Sequence, residues 1–205
     1  MKTNQILRLT AVCVALFFMT IGCNAPTSDK AADTAKVAAT SDAVTNPLFK
    51  IAPIEYATLA EQAVNHLGAA NFDAWGAMLA DNIEYDFPDG DQNTRTKLNG
   101  KAAVIAWWKN YRSMPAVTSM TMSEFNNMPI EVIGEPKGGA TKGIVVISYF
   151  TNTQTINGKP VGLRMNFSTH FNADKKIDKI TSYYDRAVIV KALGRNLLEE
   201  AKAKK

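Results

Sequence analysis

Residues 144–172, IVVISYFTNTQTINGKPVGLRMNFSTHFN, carry the pattern that decides the fold. Two runs rich in β-branched and aromatic residues, Ile144 to Thr155 and Gly162 to Asn172, flank the pair Asn157-Gly158. Asn and Gly both tolerate the positive φ that a tight hairpin turn demands, so the pair predicts two antiparallel strands. Downstream, Ala173-Asp174-Lys175-Lys176 supplies the next turn into a strand-like run from Ile177 to Ala187. Upstream, Met128 to Ile133 reads as a further strand. Consecutive hairpins imply an antiparallel sheet. Side chains alternate along a strand, so Met165, Phe167 and Thr169 share one face, and Arg164, Asn166, Ser168 and His170 share the other. The polar set, His170 included, belongs on the outer face.

The half of the chain ahead of the sheet is helical. Leu59, Ala60, Ala63, Val64 and Leu67 recur at helical spacing between Pro53, a good helix starter, and Gly68, a natural stop. His66 lies at the edge of that apolar stripe. A short helix follows with Phe72, Trp75, Met78 and Leu79 on one face and Asn71 as its N-cap. A third begins after Asn99-Gly100, where Val104, Ile105, Trp108 and Tyr111 line up until Pro115. Amphipathic helices followed by antiparallel strands define an α+β domain, placed at residues 51–198 with a charged tail at 199–205.

The first fifty residues read differently. Lys2 and Arg8 precede an uncharged apolar run from Leu9 to Ile21, with Gly22 next to Cys23. That is the layout of a secretory signal, over residues 1–22. The apolar run falls short of the about 20 residues needed to span a bilayer. Thr20-Ile21-Gly22-Cys23 resembles the bacterial lipobox, with Thr20 in place of the usual leucine. The resemblance implies cleavage before Cys23, acylation of its thiol and a lipid anchor in the cell envelope, at the outer membrane. Residues 23–50 are mostly Ala, Thr, Ser, Asp and Lys, too poor in large apolar groups to fold, and read as a flexible tether.

Several functions are excluded by composition. The two cysteines are Cys13, inside the signal, and Cys23, so the folded part can form neither a disulfide nor a thiolate metal site. Loss of Lys2 and Arg8 lowers the formal charge from +4 to about +2, and no basic stripe marks a nucleic-acid partner. The acidic run Glu84, Asp86, Asp89, Asp91 and Asn93 superficially suggests a calcium loop. A loop opening at Asp89, however, puts Thr94 at the glycine position and Gly100 at the glutamate position. A solvated turn is expected instead, with no metal and no cofactor.

Taken in order, the helix, the short helix, the strand Ile83-Glu84-Tyr85-Asp86-Phe87-Pro88, the helix Gly100 to Trp108 and the hairpins ending at Tyr183-Tyr184-Asp185 resemble the nuclear transport factor 2-like superfamily. The likeness is to its SnoaL-like polyketide cyclase and ketosteroid isomerase branches and covers Ile54 to Gly194. It implies a curved sheet wrapped around the helices as a cone, with a pocket for a small, mostly apolar molecule. Trp75, Tyr85, Trp108, Tyr111, Phe167 and Tyr184 are the candidate lining. The ketosteroid isomerase comparison puts Asp86 at that enzyme's proton-shuttling base, but its two oxyanion donors fall on Ala63 and Phe167, which have no side-chain donor. The SnoaL-like comparison makes Asp185 a candidate acid or base. If Tyr184 points inward along a regular strand, Asp185 points outward unless a bulge intervenes. Three functions follow as expectations: a binding module for a small apolar molecule, a cofactor-independent acid/base enzyme using Asp86 or Asp185, and a homodimer or interaction module built on the outer sheet face.

Overall fold

The computed structural model describes Leu48 to Ala203 apart from residues 92 and 139. Cys23, the signal segment and most of the tether lie outside the described residues. Within them are strands β1 (Phe49–Ile51), β2 (Leu79–Asp86), β3 (Lys97–Asn99), β4 (Val117–Val132), β5 (Gly143–Ile156), β6 (Lys159–Phe171) and β7 (Ile177–Tyr183). Helices α1 (Glu55–Gly68), α2 (Phe72–Met78), α3 (Lys101–Arg112), α4 (Arg186–Leu193) and α5 (Leu197–Lys202) complete the domain. The architecture is α+β, as expected.

The strands form one seven-stranded sheet in the order β1-β4-β5-β6-β7-β2-β3, curved and not closed on itself. The hairpin that opened the reading is present: Ile156 pairs with Lys159 across Asn157 and Gly158, both at positive φ. Asn172 builds the next turn, its side chain accepting from the backbone N–H of Asp174 and of Lys176. All neighbours are antiparallel except β2 and β7, which run parallel.

The first three helices stand where the sequence puts them, except that Leu79, expected on the second, opens β2 instead. Asn71 caps α2 by accepting from the Ala74 N–H, and α3 follows Gly100. Helix α1 packs against β4 and β5, and α3 against β2, β3 and β4. Between helices and sheet lies an aromatic core in which Trp75 meets Trp108, Trp108 meets Tyr85, and Tyr85 meets Phe167, all edge to face at 5.9–6.4 Å. Such contacts add to the burial of large rings.

Elements missed by sequence reading share a cause: little or no apolar periodicity. β1 and β3 are three-residue strands. β4 starts at Val117, well before Met128, because its exposed first half carries Thr, Ser and Met rather than an apolar alternation, and it bulges at Glu124, which has positive φ. At the other end β7 stops at Tyr183 rather than running to Ala187. Asp185 terminates it by accepting from the Ala187 N–H as the N-cap of α4. Residues 199–202, read as a charged tail, belong to α5, whose Leu198 is buried in the core.

Candidate functional site

Inside the curve of the sheet is a cavity of about 40 Å³, space for roughly three waters. Its walls come from Trp107, Trp108 and Tyr111 on α3, Asn152 and Gln154 on β5, Met165 on β6 and Tyr184 after β7. Helices α4 and α5 cover it with Ile189, Val190, Leu193, Leu197 and Leu198. Of the six aromatic candidates, Trp108, Tyr111 and Tyr184 reach the cavity. Trp75, Tyr85 and Phe167 are buried in the core without lining it, which is the ordinary fate of large apolar side chains.

Polar groups on this apolar wall are few. The Tyr111 hydroxyl donates to Gln154 Oε1, and burial pushes that hydroxyl up to about 12. Burial also raises the Tyr184 hydroxyl, with the neighbouring Tyr111 adding to the effect. Both phenols are therefore neutral near pH 7. Asn152 is 1 % exposed, and no other group of the described residues pairs with either of its amide atoms. The Trp108 indole Nε1 and Arg186 Nη1 are likewise buried without a partner among the described residues. Arg195 also borders the cavity, but Glu200 holds it in an ion pair. The lining contains no Asp, Glu or His among the described residues.

Neither carboxylate expected to act on a substrate is in this lining. β2 alternates with Ile83, Tyr85 and Phe87 inward, so Asp86 faces the opposite side of the sheet. There it lies 3.5 Å from Lys97 and 3.8 Å from Lys179. Lys179 also bonds Glu84, and that hydrogen bond holds the Glu84 carboxyl below its usual range. Asp185 is exposed and occupied as a helix cap. Tyr184 lines the cavity and Asp185 does not, and no bulge is involved, because both follow the end of β7 at Tyr183.

A residue that sequence reading left as part of a turn is closer to the cavity's electrostatics. Asp89 is buried, accepts from the Thr96 N–H and Oγ1 and pairs with Lys202 at 2.9 Å. Burial alone would raise its carboxyl, but the bonds from Thr96 and Lys202 hold it below the usual range. Its charge is felt at Tyr184. The Asp89–Lys202 pair fastens α5 over the cavity. Asp91, another member of the acidic run, caps its own turn by accepting from the backbone N–H of Asn93 and of Thr94.

The outer face of the sheet bears a second depression of about 600 Å³. Ile130, Val132, Val145 and Ile147 form one side of it, and Asp86, Lys97, Lys179 and His170 the other. His170 bridges Asp178 and the Lys142 carbonyl through its two ring nitrogens. It is on the outer face, as the alternation along β6 requires.

Asn152 and Gln154 were the recoverable omissions. Phe150, Asn152, Gln154 and Ile156 share the buried parity of β5, and polar residues in an inward register mark either a network or a ligand. Arg186 gave no comparable signal, since its placement depends on where β7 stops.

No protein-family model matches the chain, and no curated protein does. Solved structures do. A proposed isomerase from Bacillus subtilis superposes with a TM-score of 0.52 at 18% identity, covering 71% of this chain and 97% of that one. Two proposed polyketide cyclases superpose similarly. The one from Xanthomonas campestris gives a TM-score of 0.51 at 15% identity over 68% of this chain and 97% of its own. The one from Pseudomonas putida gives 0.52 at 17% over 67% and 96%. The domain thus shares the α+β fold, with its curved open sheet, of these structures. At these identities the likeness concerns the fold.

Proposed function

We propose that this protein is a membrane-tethered binding protein whose interior cavity takes a small, mostly apolar molecule. The observation that supports the reading most is the lining itself: a mostly apolar wall that includes Asn152, Trp108 and Arg186, each with a buried polar atom that has no partner among the described residues. Buried polar atoms are expected to be paired, and a ligand is one source of the missing partners. Native mass spectrometry of gently purified protein, with melting curves across a library of small lipids, acids and cyclic ketones, tests it. A bound mass or a melting shift that Trp108→Phe abolishes supports the reading. A ligand-free spectrum with no shift across the library overturns it.

The tether belongs to the same proposal. The lipobox-like Thr20-Ile21-Gly22-Cys23 motivates anchorage through Cys23 at the envelope, facing the outer membrane. Expression in a bacterial host should give a detergent-phase protein carrying diacylglycerol, and Cys23→Ser should leave it in the aqueous phase. An aqueous wild-type protein would remove the anchor.

A cofactor-independent isomerase or cyclase is the second reading, favoured by the proposed activities of the structures that share the fold. It needs a base, and since no carboxylate of the described residues lines the cavity, that base would have to act from behind its wall, where Asp89 pairs with Thr96 and Lys202. Turnover of a ketone or ester by the wild type that Asp89→Asn abolishes, with the melting temperature preserved, would favour it. The outer sheet face supplies a third reading, a homodimer, since Ile51, Met128, Tyr149 and Tyr183 are exposed there.

A further inference from the structure

The interior cavity is unusual in the kind of hydrogen-bonding capacity it leaves open. Its charged lining residues are both arginines, Arg186 and Arg195. Glu200 neutralises Arg195. Arg186 makes no ion pair within 4.0 Å among the described residues, and its Nη1 is buried with no hydrogen-bond partner. The nearby carboxylate of Asp89 is engaged by Thr96 and Lys202. An unpaired guanidinium on an apolar wall attracts an anion, and its planar fork matches a carboxylate best.

Two further donors line the same small space: the Trp108 indole N–H, which can only donate, and the Asn152 amide. Asn152 adds a second requirement. Its Nδ2 needs an acceptor and its Oδ1 needs a donor, whichever way the amide is turned. A bare carboxylate satisfies only the former. A carboxylate with a hydroxyl on the adjacent carbon satisfies both. The remaining walls, Met165, Ile189, Val190, Leu193 and Leu197, suit a short hydrocarbon. A cavity of about 40 Å³ limits the whole to a few heavy atoms while α4 and α5 stay closed.

Resting on the reading of this cavity as a ligand site, we infer that it binds a short-chain monocarboxylate bearing a hydroxyl next to the carboxylate, held by Arg186, Trp108 and Asn152. The carboxylate accepts from Arg186 and Trp108, the hydroxyl and carboxylate together complete Asn152, and the alkyl end meets the α4 and α5 side chains. Neutral molecules of the same size leave the guanidinium unpaired, and acids without the hydroxyl leave the Asn152 oxygen unpaired. Selectivity therefore runs hydroxy acid, then acid, then amide.

The test is an NMR titration of the folded protein with lactate, propionate and propionamide. The chain has three tryptophans, so its indole N–H resonances are few; Trp75 lies outside the cavity lining but packs edge to face on Trp108, so its resonance should move less than that of Trp108. Lactate should shift the Trp108 indole more than that of Trp75, with propionate weaker and propionamide weaker still. Charge-assisted bonds to a buried anion set the expected loss on Arg186→Gln at about ten- to a hundredfold for lactate, with little change for propionamide. The Trp75 resonance and the melting curve report that the variant is folded. Equal binding of propionamide and lactate overturns the acid assignment and leaves a ligand cavity. No response to any of the three, when other small apolar compounds shift Trp108, has the same consequence. No response to any compound removes the ligand cavity as well.

Discussion

Replacing Asn152 with leucine separates a side chain kept for a ligand from one kept for the fold. Leucine is close to asparagine in volume, and Asn152 occupies an inward position of β5 between Phe150 and Gln154. The amide has two unpaired atoms at 1 % exposure. A buried polar group without a partner costs about 1–3 kcal/mol. The cavity has room for roughly three waters, which can return part of that, so the lower figure is the better guide. Leucine removes the cost and adds apolar contact with Met165 and the α5 leucines. The expected net gain is about 1 kcal/mol or somewhat more, and in a domain of this size about 1 kcal/mol raises Tm by about 2–4 °C. Urea melts with a common m-value, together with calorimetry, would measure it, and the same sample should lose its lactate-dependent Trp108 shift. A fall in stability of about 1 kcal/mol or more would refute the reasoning, because it would mean that the amide is bonded within the protein and serves the fold.

Three other perturbations probe the cover and the sheet. Leu198→Ala removes the buried anchor of α5 and should cost about 2–5 kcal/mol in urea melts, while admitting ligands longer than lactate; a loss below about 1 kcal/mol would mean that α5 is not packed as described. The Asp89–Lys202 pair gives the cover a pH window. A carboxyl held low stabilises above its unfolded value of about 3.9 and loses that contribution as pH falls through its folded value. Its partner's amine, held high by Asp89 against some desolvation, stabilises below about 10.4 and loses this as pH rises through its folded value. Amide exchange in α5, corrected for intrinsic rates, should thus be steady from about pH 5 to 9 and accelerate below about pH 4, and Lys202→Met should abolish the acid step; a step at neutral pH would contradict the assignment. For the outer face, sedimentation at micromolar concentration should show a dimer that Tyr149→Glu converts to monomer, and a monomeric wild type would discard that interface.

How much was legible beforehand follows from which signals are local. The hairpin at Asn157-Gly158 was legible because positive φ at two consecutive residues restricts the residue types severely. The helix at Asn71 was legible because its cap is built by the residue itself. The inward aromatic set of β6 followed from period-2 alternation alone. The candidate site was less legible, because its members meet only through the curvature of the sheet. Asp86 illustrates the difficulty: its alignment with a catalytic position depends on strand parity, and Tyr85 and Phe87 occupy the inward sites on either side of it. The two arginines and the α5 leucines are nonlocal too, since they reach the cavity only when β7 ends early enough for α4 and α5 to fold back.

That early end ties the fold to the chemistry. Asp185 accepts from the Ala187 N–H and so starts α4. The immediate consequence is that Arg186, the next residue, sits in the first turn of a helix lying across the cavity instead of continuing a strand along its rim. Gly194, at positive φ, ends α4, and Asn196 then caps α5 by accepting from the Glu199 N–H. Leu198 and Lys202 face inward from this second helix, one into the core and one onto Asp89. Three short polar signals thus place a cation, an apolar plug and a fastening pair over one opening. A chain that carried an ordinary strand past this point would keep the same sheet and lose all three. The cover of the cavity is therefore set by residues 184–202, while Trp108 and Asn152 reach it from α3 and β5.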